Sequence, residues 1–129
     1  MTEKMIADFA ELTGDDHPVH CDDEVASSTA LRRRVAHGLL SLSLLQGLMV
    51  RTGYDRRTGE ATLGWDRVRF PVPVLPGDVV HGEFTIKSAR VSQSRPGLGV
   101  IVEECFLFNQ RGNLVVSGEH GLLVRRRGR

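Results

Sequence analysis

The sequence is poor in cysteine, the residue on which many small extracellular folds depend. Only two of the 129 residues are cysteine, Cys21 and Cys105, and neither forms a CxxC pair. A disulfide framework is therefore excluded as the basis of the fold, and a reducing cytoplasm is the expected location. Cys21 lies in an acidic stretch, where a nucleophile or a ligand is an option, but a solitary loop cysteine is more often a bystander.

A strong charge of one sign and a long apolar run are also missing. The formal net charge is only +1, so no overall field attracts nucleic acid. Residues 39–50 are the densest apolar stretch, far shorter than the roughly 20 residues that cross a bilayer. The N-terminus lacks the basic and apolar regions of a signal peptide. We therefore expect no nucleic-acid partner and no membrane role, and we interpret the basic residues 125–129 as a solvated tail rather than an anion contact.

What is present is ordinary globular composition. Hydrophobic residues make up 40% and charged residues 26% of the chain, which argues against disorder. The length suits one domain over residues 1–129. Helical periodicity dominates before residue 53, and strand-like alternation dominates after it.

The first half predicts helices. Met5 and Phe9 recur on one face of a short amphipathic helix, which Gly14 ends. A second short helical piece is expected over residues 22–30. Residues 39–50 are apolar almost all the way round, which predicts a helix buried on nearly every side.

The second half predicts four strands, because Val, Ile, Leu, Phe and Thr are concentrated there between turn sequences. The strands cover residues 61–70, 78–91, 99–108 and 113–124. Phe84 and Ile86 alternate with polar neighbours and are expected to share one buried face. An apolar helix followed by an antiparallel sheet is an α+β layout, in which the sheet wraps around the helix.

The stretch TGDDHPVHCDD, residues 13–23, gathers four acidic residues and two histidines around one proline. Zinc binds histidine and carboxylate at short spacing, but no distant third-ligand motif of the HExxH type accompanies them. Pro18 also breaks a helical presentation of His17 and His20. We therefore expect no metal site here.

The same stretch suits acid/base chemistry. A turn at Pro18 would bring Asp15 and His20 together. Histidine exchanges protons near neutral pH, and a carboxylate can orient a water or hold an imidazole tautomer. Such a pair suits the addition of water to a polarised double bond, or its removal. The alternative is a polar loop in which Asp22 or Asp23 caps the next helix, and the residues alone do not decide between the two.

His37 and Gly38 stand at the entry of the apolar helix. A helix N-terminus offers free backbone N–H groups, and Gly38 permits the close approach of a ligand. A thioester carbonyl placed there would find an oxyanion hole. In the alternative, Gly38 only allows a tight bend. For His37 we favour a structural role, as a hydrogen-bonded core or capping histidine.

Taken together, FAELTGDDHPVHCDD, the following Ala26 and VAHGLLSLSLL resemble the sequence pattern of the MaoC-type (R)-specific enoyl-CoA hydratases. A later stretch is similar to that family's F-x-x-P-V-x-x-G-D segment through Phe70, Pro73, Val74, Gly77 and Asp78. The resemblance covers nearly the whole chain.

The resemblance implies the hot-dog fold, an antiparallel sheet wrapped around a central, largely buried helix. It implies that Asp15 and His20 activate one water for attack at C3 of a trans-2-enoyl thioester, and that the Gly38 N–H binds the thioester oxygen. The product is then an (R)-3-hydroxyacyl thioester of coenzyme A or an acyl carrier protein, and the reverse dehydration is equally available. No cofactor is implied beyond the coenzyme A of the substrate. Members of the family are homodimers, so a homodimer is expected.

Several positions depart from the family pattern. His17 replaces an asparagine and becomes a possible accessory group beside His20, and Gln46 stands where a serine often lines the pocket. Residues 32–34 are arginines, which we interpret as a solvated turn rather than a contact to coenzyme A phosphates. A hot-dog thioesterase and an inactive acyl-thioester- or partner-binding subunit therefore stay as alternatives.

Overall fold

A computed structural model describes residues 1–126, which form four helices and four strands. The helices are α1 (Glu3–Thr13), α2 (Pro18–Cys21), α3 (Asp23–Ser28) and α4 (Gly38–Arg51). The strands are β1 (Gly59–Arg69), β2 (Val80–Val91), β3 (Leu98–Asn109) and β4 (Leu114–Arg125). All neighbouring strands are antiparallel, in the order β1-β4-β3-β2. The α+β prediction is therefore confirmed.

Local sequence explains how α1 begins and ends. The Thr2 hydroxyl accepts a hydrogen bond from the Met5 N–H, which caps the free N-terminus of the helix. Gly14 takes a left-handed φ of 76°, and its N–H donates to the Ala10 carbonyl at 2.9 Å. Only a residue without Cβ adopts that conformation without strain, so Gly14 turns the chain out of α1 as predicted.

Helix α4 packs against β2, β3 and β4 through one face only. Leu45 and Met49 are buried there in the same core as Leu107 of β3. On the opposite face Leu39 is 61% and Val50 is 39% exposed. The prediction of burial on nearly every side is thus wrong for the isolated chain, because one sheet covers only one face of a helix.

The shared buried face predicted for Phe84 and Ile86 is only half correct. Phe84 packs against the core, whereas Ile86 is 58% exposed. Helix α4 crosses β2 near Gly82, where an added Cβ would lie 3.0 Å from the Leu45 side chain. Ile86 lies four residues farther along an edge strand, so the helix does not reach it.

The basic C-terminus is only partly a tail. Arg125 belongs to β4 and pairs with Glu60 at 2.9 Å, and Arg126 donates to the Pro96 carbonyl at 3.0 Å. These two residues correct the prediction, since strand pairing extends to Arg125. Arg127 and Arg129 of the predicted tail lie outside the described residues. Among the helices of residues 1–126, none has the length and apolar character needed to cross a membrane.

Candidate active site

The turn after α1 positions Asp15. The Asp15 N–H donates to the Thr13 hydroxyl at 3.2 Å, and that hydroxyl donates to the Phe9 carbonyl at 2.6 Å. Two hydrogen bonds and the left-handed Gly14 therefore fix the backbone before Asp15, whose side chain stays exposed.

The proline in the stretch begins a helix instead of preventing one. Pro18 is the first residue of α2, where its missing N–H costs nothing. His17 caps this helix, since its Nδ1 accepts from the Val19 N–H at 3.3 Å. The helical turn then carries His20 back toward Asp15. The expectation that Pro18 breaks helical presentation is corrected for His20, which is helical, and holds only for His17.

The tautomer of His20 follows from its hydrogen bond. Nδ1 lies 2.7 Å from the Val35 carbonyl, which can only accept, so Nδ1 carries the proton and Nε2 is free when the ring is neutral. Burial lowers the pKa of His20 below its ordinary value; the Val35 bond and the Asp15 carboxylate oppose this, and neighbouring His37 and His17 reinforce it. His20 is therefore neutral at neutral pH and presents a free basic nitrogen.

His37 joins this pair. It is buried, its Nε2–H donates to the Asp15 carbonyl at 2.8 Å, and its ring stacks on His20 with centroids 3.9 Å apart and planes at 28°. Within residues 1–126, its buried Nδ1 has no hydrogen-bond partner, and its side chain makes no capping bond to α4. The predicted core position is confirmed, but the predicted full hydrogen bonding is wrong, because among residues 1–126 only one of the two ring nitrogens has a partner.

Gly38 is the first residue of α4, so its N–H has no acceptor within the helix. A Cβ at this position would lie 3.0 Å from two carbon atoms of the Phe70 ring. Gly38 and Phe70 line an apolar cavity of about 330 Å³ together with Val72, Val74 and other residues. The free N–H therefore stands at the wall of a cavity that can receive an apolar group.

One side-chain nitrogen or oxygen of each of Asp15, His20 and His37 lies within 4.8 Å of the others. These donor types suit zinc. However, the two imidazoles lie nearly face to face, so their in-plane lone pairs do not converge on one point. The arrangement fits a proton-transfer cluster better than a metal centre, and the absence of a metal stays a prediction.

The remaining candidates lie at varying distances from this cluster. The ring centroid of His17 is 6.3 Å from that of His20, and His17 is exposed. Gln46 lies eight residues after Gly38, about 12 Å along the axis of α4. The structure thus places His17 beside the cluster and Gln46 away from it.

The capping alternative for the acidic stretch is also realised. Asp22 accepts hydrogen bonds from the N–H groups of Glu24 and Val25 at the start of α3. The same stretch therefore both caps α3 and carries the Asp15 and His20 pair.

The predicted solvated arginine turn is wrong at Arg34, whose guanidinium bonds Asp23 at 2.7 Å and Glu3 at 3.2 Å. These ion pairs occupy Arg34 and tie the chain before α4 to α1 and α3.

His37 is the functional candidate that sequence reasoning assigned only a structural role. Its contacts with Asp15 and His20 join positions 22 and 17 residues apart, so no local periodicity could show them. Its place directly before Gly38, at the helix entry, was the available signal.

Comparison with known proteins identifies the family of the chain. The family model of the MaoC like domain matches residues 1–102. An (R)-specific enoyl-CoA hydratase from Aeromonas caviae is 33% identical over 114 residues, which cover 88% of this chain and 79% of that protein. Protein MaoC from Klebsiella aerogenes is 36% identical over 95 residues, or 74% of this chain, but the matched part is only 28% of that longer protein.

A solved structure extends the agreement to nearly every described residue. A monoamine oxidase regulatory protein from Archaeoglobus superposes with a TM-score of 0.93 at 31% identity, covering 99% of this chain and 84% of that one. The sheet and its helix have the hot-dog arrangement of these relatives. The chain belongs to the family of MaoC-like domains and has the hot-dog fold.

Proposed function

We propose that this protein adds water reversibly to a trans-2-enoyl thioester and forms an (R)-3-hydroxyacyl thioester. The observation that carries the proposal is a neutral, half-buried His20 with a free Nε2, grouped with the Asp15 side chain. Gly38 comes directly after His37 of the same cluster, and its N–H is free at the start of α4. The relative named as an (R)-specific enoyl-CoA hydratase supports this reaction class.

Each residue has one role in the proposed step. Asp15 orients the water, and His20 Nε2 takes one of its protons as the oxygen bonds to C3. The Gly38 N–H stabilises negative charge on the thioester oxygen, a contribution worth about 10²–10³ in rate in comparable sites. The proton held by His20 is delivered to C2, so one water is added across the double bond and the enzyme is regenerated. Dehydration runs through the same steps in reverse.

The test follows the loss of the enoyl-thioester absorbance of crotonyl-CoA with purified protein. We expect the wild type to consume it. His20→Ala removes the general base and Asp15→Asn removes the carboxylate that orients the water, so each should lower kcat by at least about 100-fold. His81→Gln is the matched control, because His81 is exposed and contacts Glu83 rather than the cluster. Full turnover by both active-site variants would rule out the assigned mechanism.

Three companion measurements separate the alternatives. A thioesterase would release free coenzyme A, which a thiol reagent detects, whereas a hydratase would not. An inactive binding subunit would gain thermal stability from acyl-CoA without consuming it. A carrier-protein substrate would show as turnover of crotonyl attached to an acyl carrier protein but not to coenzyme A.

We further propose that two copies associate through the exposed face of α4. Leu39 and Val50 lie on that face with the small residues Ser43 and Gly47 between them. We expect light scattering to give twice the monomer mass, and Leu39→Glu to reduce it to the monomer mass. Leu12→Glu is the control, because Leu12 is 83% exposed on α1 and its replacement should leave the mass unchanged. A monomeric wild type at micromolar concentration would contradict this proposal.

A further inference from the structure

We propose that His37 is a positioning residue that holds the Asp15 backbone and the His20 ring in their working geometry. This inference rests on the proposed function, since it concerns the same site. His37 is not assigned any contact with substrate; it acts through the two residues that have one.

The contacts of His37 reach every segment that builds the site. Its Nε2–H donates to the Asp15 carbonyl at 2.8 Å. The His37 ring stacks on the His20 ring with centroids 3.9 Å apart. The Phe9 ring of α1 also packs against His37, with centroids 4.9 Å apart. Its own backbone leads directly into Gly38, the first residue of α4. A displacement of this one ring would therefore move the carboxylate, the base and the oxyanion donor together.

The burial and hydrogen bonding of the His37 ring support a positioning role. Only 2% of the residue is exposed, and its Nδ1 has no partner within residues 1–126. Since the Asp15 carbonyl can only accept, Nε2 carries a proton, and Nδ1 is the ring nitrogen left without a partner. A buried polar atom without a partner destabilises the fold, so a purely apolar ring would suit a structural role better at this position.

His37 also acts on the proton affinity of His20. The charged and titratable groups that face His20 are Asp15, His17 and His37, and its ring bonds the Val35 carbonyl. The His37 ring stacks on the His20 ring and disfavours a positive charge on it. Loss of His37 should therefore raise the pKa of His20.

Two substitutions separate the contacts of His37. His37→Phe keeps an aromatic ring for stacking on His20 but removes the donor to the Asp15 carbonyl. His37→Gln keeps an N–H donor but removes the ring. We expect His37→Phe to lower kcat by about 100-fold with KM changed less than about threefold, the loss that a misplaced reacting group causes. We expect the kcat of His37→Gln to be about tenfold higher than that of His37→Phe.

A readout independent of turnover accompanies the kinetics. An NMR titration of the labelled His20 imidazole should show a higher pKa in both variants, with the acid limb of the rate profile displaced to higher pH. His81→Gln should leave the His20 titration and kcat unchanged. The proposal is overturned if both His37 variants keep wild-type kcat, or if the His20 titration is the same in all proteins. It is also overturned if His37→Gln loses as much kcat as His37→Phe while both melt at the wild-type temperature.

The outcomes distinguish this inference from the proposed function. If the wild type consumes no enoyl thioester, the proposed function fails, but the His20 titration still tests whether His37 controls that ring. If the wild type is active and the titration does not respond to His37, only the positioning role fails.

Discussion

At the scale of single residues, the site depends on which nitrogen of His20 carries the proton. The Val35 carbonyl fixes that proton on Nδ1, and burial makes the charged ring unfavourable. A nearby carboxylate and two neighbouring imidazoles act in opposite directions on the same pKa. The net effect is a base that is available below the pH at which an ordinary histidine becomes protonated.

The lowered pKa of His20 predicts a pH dependence of stability. The unfolded chain takes up this proton at about the ordinary value of 6.5, whereas the folded chain does so at a lower pH. Stability contributed by neutral His20 is therefore complete above pH 6.5 and is lost as the pH falls through 6.5 toward the folded pKa. Urea midpoints measured across this range should fall more steeply for the wild type than for His20→Gln. Identical slopes would show that His20 titrates normally in the folded protein.

Gly38 gives a second prediction at this scale. Gly38→Ala places a Cβ 3.0 Å from the Phe70 ring, so either the ring or the start of α4 must move. Because the backbone N–H is retained, any loss of activity reports its displacement. We expect kcat to fall by about 10–100-fold, less than the roughly 10²–10³ lost when an oxyanion donor is removed, because the donor is displaced and not removed.

The control for Gly38→Ala is the same change made in a Phe70→Ala background. Phe70 is 44% exposed, so its truncation removes the clash without opening the core. We expect Gly38→Ala to cost less than about threefold in kcat there, since the donor then stays in place. An equal loss in both backgrounds would mean that the cavity wall, not the clash, limits activity.

At the scale of elements, strands were easier to predict than burial. All four observed strands lie within two residues of the predicted limits, because turn sequences and β-branched runs are local signals. The burial of α4 and Ile86 was mispredicted, because it depends on where the helix crosses the sheet. Residue chemistry singled out Asp15, His20 and Gly38 as candidates, and the family resemblance then assigned their roles. The contact of His37 with His20 joins different elements and has no local signature.

The end of α1 gives a prediction about an element boundary. Gly14→Ala forces a side chain into a φ of 76°, where no atom of the described residues lies within 4 Å of the added Cβ. The cost is therefore conformational, about 1 kcal/mol. Gly97→Ala is the control, since it also meets open space but lacks a left-handed φ. We expect thermal unfolding to shift by several degrees for Gly14→Ala and by much less for Gly97→Ala; equal shifts would show that the turn after α1 is not strained.

At the scale of the whole molecule, one buried polar row ties the sheet together. Glu103 of β3 and His120 of β4 are directly opposite and buried, with 2.8 Å between the carboxylate and Nδ1. From β1, Trp65 stacks on His120 with centroids 4.7 Å apart, and the Thr62 hydroxyl lies 3.2 Å from Nε2. Three of the four strands therefore meet at His120. The row lies outside the Asp15 cluster, so its effect is on stability.

The buried pair yields a prediction that involves the whole sheet. His120→Leu leaves the Glu103 carboxylate buried without its partner, which should cost about 3–5 kcal/mol of unfolding free energy. Replacing both residues with leucine removes the charge as well, so we expect the double variant to be more stable than His120→Leu alone. Urea unfolding near neutral pH, at one fixed protein concentration, measures both.

The exposed Arg67–Glu119 ion pair, which joins β1 to β4, is the comparison for the buried pair between β3 and β4. Arg67→Ala should cost no more than about 1 kcal/mol, because solvent screens that pair. The difference between the two pairs measures what burial adds, since both join strands of the same sheet. If His120→Leu costs no more than Arg67→Ala, the row is held by hydrogen bonds and stacking and not by charge.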